Sequence, residues 1–316
     1  ELLAPKYASG IFCRRERSVV QTRTLANYLC FGKCGSFVTI GVMRLLNGRE
    51  LAGFIKERQA KQVRVLRQEH GIEPKLAIVT TAEDNPVIAT YMRMKKRYGA
   101  DILIDVDIHK VHQKDVRELL NKLSNDDSVH AIIVQLPLED MTEAKEILEL
   151  VPAHKDVDGL GQDPKFDPAT ALAILWLLTG YNIDLDNKKV LLVGRGKLVG
   201  APLEKLLLAS GITPAIADKQ TKDVKAECLK ADVIVTATGV HGLIKPDMLK
   251  HGAVVVDAGV ASEGGKTVGD VAPQVYEERD DLTITPVKGG VGPLTVCALF
   301  DNVIRAAERV AATQAK

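Results

Sequence analysis

Aromatic side chains make up only 4% of the 316 residues, and charge of either sign is nearly cancelled, leaving a formal net of +1 at pH 7. So few aromatics leave little from which to build a base-stacking platform for RNA, and the charge balance provides no field to attract a polyanion or an acidic membrane. Neither nucleic acid nor a membrane is therefore expected as a partner. No apolar run reaches the ~18–20 residues a bilayer-spanning helix needs. Cysteine is scarce and odd in number: Cys13, Cys30, Cys34, Cys228 and Cys297. That is no disulfide framework, and it points to a reducing, cytoplasmic compartment. Cys30 and Cys34 lack a second pair nearby and the seven histidines are scattered, so no metal site is expected. His109 and His112 have helical i, i+3 spacing and read as solvated surface residues. Internal repeats and low-complexity segments are absent as well.

What remains is an ordinary globular composition, 46% apolar and 26% charged, at a length suited to two domains. Residues 1–42 differ from the rest. They carry Lys6, Arg14, Arg15, Arg17, Arg23 and Lys33 against Glu1 and Glu16, without a clear period. An expression or upstream-translation artefact, a transit peptide and a genuine N-terminal arm all fit this stretch, the first best, because regular patterning begins just after Met43.

From Leu46 to about His70 the pattern is helical. Short apolar runs at 76–80, 102–108 and 131–134 read as strands. Helical stretches separate them, one over 87–98 and one through Val116, Leu119, Leu120 and Leu123. Residues 152–168 are rich in Pro, Gly and Asp and read as a linker or active-site loop. A second alternating series follows, with strands at 190–193, 215–217, 233–236, 253–257 and 282–285. A helix is expected at 199–209 and a last amphipathic one from about Pro293 to Val310. Strands alternating with helices predict parallel sheets with crossover helices.

The segment Gly194-Arg-Gly196-Lys-Leu-Val-Gly200 passes from a buried strand straight into a helix. Gly194 permits the tight turn and Gly196 lets the backbone approach a pyrophosphate, while the helix N-terminus offers free N–H groups to it. A bare strand–helix turn without a ligand is the alternative. Asp218 ends the next strand, where an acid holds the ribose 2′-hydroxyl of NAD. Arg195 and Lys219 stand close by and suit the 2′-phosphate of NADP. Asp218 also reads as a cap for a helix over 221–230.

In the first half, Tyr91 and Lys95 lie one helical turn apart. Read with Val134-Gln135-Leu136-Pro137-Leu138, Lys155-Asp156-Val157-Asp158-Gly159 and Thr285-Pro286-Val287-Lys288-Gly289-Gly290-Val291-Gly292-Pro293, they form a pattern around the glycine-rich turn. In this order the set resembles the bifunctional methylenetetrahydrofolate dehydrogenase/methenyltetrahydrofolate cyclohydrolase family, over residues 43–312. Without these neighbours, Asp156 and Asp158 would read as a solvated turn.

The resemblance implies an α/β fold of two domains, an N-terminal catalytic domain and a Rossmann-type dinucleotide-binding domain with a cleft between them. It places the folate-binding domain at 43–167 with 294–316, and the NAD(P)-binding domain at 168–293. It implies oxidation of 5,10-methylenetetrahydrofolate with NADP, or NAD as the alternative, and hydrolysis to 10-formyltetrahydrofolate. Lys95 would be the acid/base residue, Gln135 would tune it and Tyr91 would stack on the folate. Asp158 would grip the pterin, and the loop Gly289, Gly290, Val291, Gly292, Pro293 would line its pocket. Gly194, Arg195, Gly196, Gly200, Thr170, Lys219, Thr238, Gly239 and Val260 would hold the dinucleotide, in a homodimer. The chain departs from the family at Ile88, where Ser is usual, and in the shortened stretch after Gly159 that ends in Pro168-Ala169-Thr170-Ala171. It departs again at Gly196 and at Asp218-Lys219. The last two bear on the choice of cofactor.

Overall fold

A short two-residue strand, β1 (Arg44–Leu45), leads into α1 (Gly48–Glu69). The computed structural model describes residues 43–81, 86–263 and 266–314, so the basic stretch 1–42 lies outside the described residues. The start of α1 is fixed by Asn47, whose Oδ1 accepts from the backbone N–H groups of Arg49 and Glu50 at 3.1 and 3.4 Å. Ala52, Gln59, Val63 and Leu66 form the buried face of this helix.

The first αβ series comprises β2 (Lys75–Thr80), α2 (Pro86–Asp101), β3 (Asp105–Lys110), α3 (Val116–Ser124), β4 (Ala131–Val134) and α4 (Ala144–Glu149). Its three strands make a parallel sheet in the order β3-β2-β4. Along β2, Leu76 and Ile78 enter one core while Ala77 and Val79 enter another, so both faces are covered. The strand expected over 102–108 starts later. Ile102 and Ile104 are buried, but their N–H groups both return to Gly99 O, at 3.1 and 2.9 Å. An apolar turn, with Leu103 at φ +63°, thus imitates the beginning of a strand in the sequence. His109 lies on β3 and His112 in the turn after it, so they share no helix face.

After α5 (Ala169–Gly180) come β5 (Val190–Val193), α6 (Gly200–Ala209), β6 (Ala215–Ala217), α7 (Val224–Lys230), β7 (Val233–Thr236) and β8 (Val254–Asp257). A small antiparallel hairpin, β9 (Ala261–Glu263) with β10 (Lys266–Val268), precedes α8 (Pro273–Glu278), β11 (Thr283–Ile284) and α9 (Val291–Gln314). The second sheet is parallel, in the order β1-β11-β8-β7-β5-β6. The chain leaves β5 for β6 on one side and returns to β7 on the other. This makes the C-terminal end of β5 a topological switch point, where parallel sheets open a crevice for ligands. The expected cap at Asp218 is not formed. Asp223 caps α7, accepting from Ala226 N at 2.9 Å, while Asp218 Oδ1 accepts from Gln220 N within its own turn.

Helix α9 runs against α1, α2 and α5. Tyr98 and Phe300 stack with centroids 5.0 Å apart, Gln59 Nε2 donates to Cys297 O at 2.8 Å, and Arg58 pairs with Asp301 at 2.5 Å. One apolar core consequently runs from Leu46 to Ala311 and includes residues of both sheets. Among the described residues, no helix is long and apolar enough to cross a membrane.

Candidate active site

Lys95 and Gln135 come from different elements of the small sheet. Lys95 lies on α2, which follows β2, and Gln135 directly follows β4. Gln135 N donates to Val79 O at 2.8 Å, which fixes its backbone beside β2. Lys95 Nζ donates to Gln135 Oε1 at 2.9 Å, and Gln135 Nε2 donates to Leu136 O at 2.8 Å, so the amide orientation is set from both ends. Burial pulls the Lys95 amine below its ordinary value of 10.5, and the carboxylate of Asp158 pulls it part of the way back. Asp158 shows the mirror effect: burial pushes its carboxyl up and Lys95 draws it down.

The segment carrying Asp158 is far from a solvated turn. Ile132 N donates to Lys155 O at 2.8 Å, and Ile132 and Asp156 form a parallel bridge that extends the small sheet by one position. Buried Lys155 gives its Nζ to Leu123 O and Asp126 O at 3.1 and 2.8 Å, and buried Asp156 accepts from Gly159 N and Gly161 N at 3.0 and 2.8 Å. Of the two acids, Asp156 is consumed by the loop and Asp158 remains beside the lysine. Tyr91 is half-buried one turn before Lys95 on the same helix.

The segment Gly289–Pro293 is only partly a loop. Gly289 takes φ +90° and its carbonyl accepts from Arg49 N at 3.0 Å. A Cβ on Gly48 would run into Gly290 O, so two glycines let this segment seat directly on the N-terminus of α1. From Val291 onward the chain is already α9, and the Val291 side chain is 5% exposed within the core. The Val291 side chain thus faces the core, and the helix begins two residues before its proline.

The dinucleotide candidates gather at the C-terminal ends of β5, β7 and β8. Gly194 takes φ +98°, and a Cβ there would lie 2.7 Å from Ala237 O and 3.0 Å from Thr238 Cγ2. Gly239, at φ +71°, lies against Val260 O, which a Cβ would meet at 3.4 Å. Gly200 packs under Gly194 O, whereas a Cβ on Gly196 would meet nothing within 4 Å. The turn is thus tight beneath and open above. Helix α6 has no side-chain cap at Val199; Ala201 N and Leu203 N donate to Gly196 O and Val199 O at 3.0 and 2.9 Å and Pro202 has no N–H, so the helix end offers a ligand the positive end of its dipole and the backbone of the turn. These features fit a dinucleotide pyrophosphate. Thr170 stands in the first turn of α5 and Lys219 is exposed next to Asp218. Arg195 is not idle: its Nε and Nη2 donate to Glu204 Oε2 and Oε1 at 2.6 and 3.2 Å.

Two acids that sequence reasoning missed, one buried and one half-buried, support this edge. Asp270, wholly buried, accepts through Oδ2 from Thr236 Oγ1 at 2.6 Å and Thr238 N at 2.7 Å. Asp257 accepts from Gly259 N, Asp270 N and Val271 N at 2.9, 3.1 and 3.0 Å, and burial pushes its carboxyl up. Together they pin the loops carrying Thr238 and Val260. The one available signal was glycine: Gly259 and Gly269 lie where a Cβ would strike one carboxylate or the other.

Residues 46–158 match the catalytic domain of the tetrahydrofolate dehydrogenase/cyclohydrolase family, and residues 168–311 match its NAD(P)-binding domain. A bifunctional protein FolD from Campylobacter jejuni is 37% identical over 84% of this chain and 99% of its own length. The crystal structure of a bifunctional FolD methylenetetrahydrofolate dehydrogenase/cyclohydrolase from C. jejuni superposes with a TM-score of 0.79 at 36% identity, covering 85% of this chain and all of that one. The methylenetetrahydrofolate dehydrogenase-cyclohydrolase of Trypanosoma brucei, solved with NADP cofactor and inhibitor, gives a TM-score of 0.78 at 28% identity, covering 85% and 98%.

Proposed function

The chain belongs to the tetrahydrofolate dehydrogenase/cyclohydrolase family, and from that premise we propose that it oxidises 5,10-methylenetetrahydrofolate with NADP⁺ and hydrolyses the product to 10-formyltetrahydrofolate. The observation that carries the reading is the Lys95–Gln135–Asp158 cluster at the C-terminal edge of the small sheet. A dinucleotide bound at Gly194–Gly200 supplies the hydride acceptor. The protein holds the folate beside it, through Asp158 on the pterin donors and Tyr91 on a ring face, and orientation carries much of the rate.

Hydrolysis begins when water adds to the methenyl carbon. Neutral Lys95 takes one proton of that water, the ring C–N5 bond breaks as that proton passes to N5, and the remaining hydroxyl proton leaves to solvent, so that the formyl group stays on N10. An amine starved of solvent is suited to this task, since its neutral form is favoured by burial. Gln135 accepts from Nζ and so holds the amine in one place.

Arg195, after β5, and Lys219, after β6, support NADP⁺ as the acceptor, and a T. brucei relative is solved with NADP. The proposal includes a homodimer and a cytoplasmic setting, the latter in keeping with the free buried thiols of Cys228 and Cys297. The test is the growth of methenyl absorbance from methylenetetrahydrofolate with NADP⁺ and, in parallel, with NAD⁺. Absence of signal with both would refute the oxidation. In the same assay Lys95→Ala is expected to lose hydrolysis by about 10²–10⁴-fold while folate still binds, and undiminished hydrolysis would remove Lys95 from the reaction.

A further inference from the structure

The ion pair of Arg195 lies at the point where a Rossmann domain distinguishes its two nucleotides. Gly194 N donates to Ala217 O at 2.7 Å, which sets the glycine-rich turn beside the end of β6. Arg195 and Asp218 therefore lie at neighbouring strand ends, where the adenosine ribose of a bound dinucleotide rests. Glu204, in the second turn of α6, reaches back to the turn. Its side chain is only 17% exposed, against 57% for Arg195. A carboxylate withdrawn that far from water needs a counter-charge, and Arg195 supplies it through two donors on one edge of its guanidinium.

The remaining edge is left for a ligand, so the geometry of a phosphate contact survives. What changes is the charge. Two carboxylates stand beside Arg195, Glu204 in the ion pair and Asp218 near enough to act on its charge. A 2′-phosphate carries close to two negative charges and gains little from such a balance. A 2′-hydroxyl loses nothing by it, and Asp218 can accept from it, since the hydrogen bonds described for that carboxylate all fall on Oδ1.

We propose that Glu204 is a specificity-determining residue of the dinucleotide site: by occupying one edge of the Arg195 guanidinium it reduces the positive charge offered to a ribose 2′-phosphate and narrows the gap between NADP⁺ and NAD⁺. The proposal rests on the reading of Gly194–Gly200 as the dinucleotide turn.

The test is equilibrium binding of NADP⁺ and NAD⁺ to the protein by titration calorimetry, without folate, for the wild-type chain and Glu204→Gln. Glutamine keeps an acceptor for Arg195 and removes only the charge. The wild-type constants are expected to lie within about tenfold of each other, and Glu204→Gln is expected to tighten NADP⁺ by roughly tenfold with NAD⁺ changed less than about twofold. The gain should shrink at high salt, as an electrostatic effect does. It should also vanish when Arg195→Leu is added. An unmoved ratio, or equal weakening of both nucleotides, overturns the assignment to Glu204. Weaker NADP⁺ binding alone overturns it too, since Glu204 would then serve to aim Arg195 at the phosphate. Failure of the wild-type chain to bind either nucleotide would overturn the dinucleotide reading itself, and this one with it.

Discussion

A lysine amine that acts as a base starts in the wrong protonation state at neutral pH. Two opposed influences set that state for Lys95: burial lowers its pKa from 10.5 and Asp158 raises it. Hydrolysis by the neutral amine should therefore rise with pH through a limb centred below 10.5. Asp158→Asn removes the influence that raises the pKa. The limb should move toward lower pH, measured as kcat at saturating methenyl substrate. A limb that stays in place would show that the two groups do not communicate. The shift separates an electrostatic role of Asp158 from its grip on the pterin, which appears in KM.

At the scale of the element, α1 contains the same residue in two opposite situations. Gly53 is exposed, and a Cβ on it would meet nothing within 4 Å. Gly53→Ala should stabilise the protein by about 0.5–1 kcal/mol through helix propensity alone. Gly48 begins the same helix against Gly290 O, and Gly48→Ala should cost about 1–3 kcal/mol because one backbone must move. Urea midpoints of the two variants should move in opposite directions. A common direction would show that propensity rather than the Gly290 contact governs both sites. The sequence announced α1 by its period, a local signal, and the structure adds the cap at Asn47. The segment 102–108 misled because Ile102 and Ile104 are buried by a turn, and apolar character does not record which way an N–H points.

Across the whole molecule, Asn302 of α9 reaches from one end of the described chain to the middle. Its Nδ2 donates to Val157 O and Asp167 O, both at 2.9 Å, and so ties down the loop on either side of Asp158. Asn302→Ala leaves the buried Val157 carbonyl and the half-buried Asp167 carbonyl unpaired, at about 1–3 kcal/mol for the first and less for the second. Folate affinity should fall with that loosening while nucleotide affinity holds, read as separate dissociation constants. Equal losses would mean that Asn302 supports the fold at large. This also marks where the candidate site stopped being legible. Lys95, Gln135 and Asp158 each sit in a short stretch whose neighbours identify it. Asn302, Glu204, Asp257 and Asp270 act through partners in other elements, at separations that no local pattern encodes. The resemblance singled out Asp158, but the task of buried Asp156 shows only in the folded loop, whose N–H groups it accepts from.

The core shared by α1, α2, α5 and α9 has a consequence for the order of events during synthesis. A nascent chain that has emerged only as far as residue 290 holds the strands of both sheets, but not the helix that covers α1 and α2. Val63, Tyr98 and the polar cluster of Gln59 and Arg58 await Cys297, Phe300 and Asp301, made more than two hundred residues after α1 begins. Contacts of such high sequence separation close late and slow the final step of folding. The half-made protein therefore leaves the ribosome with an apolar face open, the state in which chaperones find their clients.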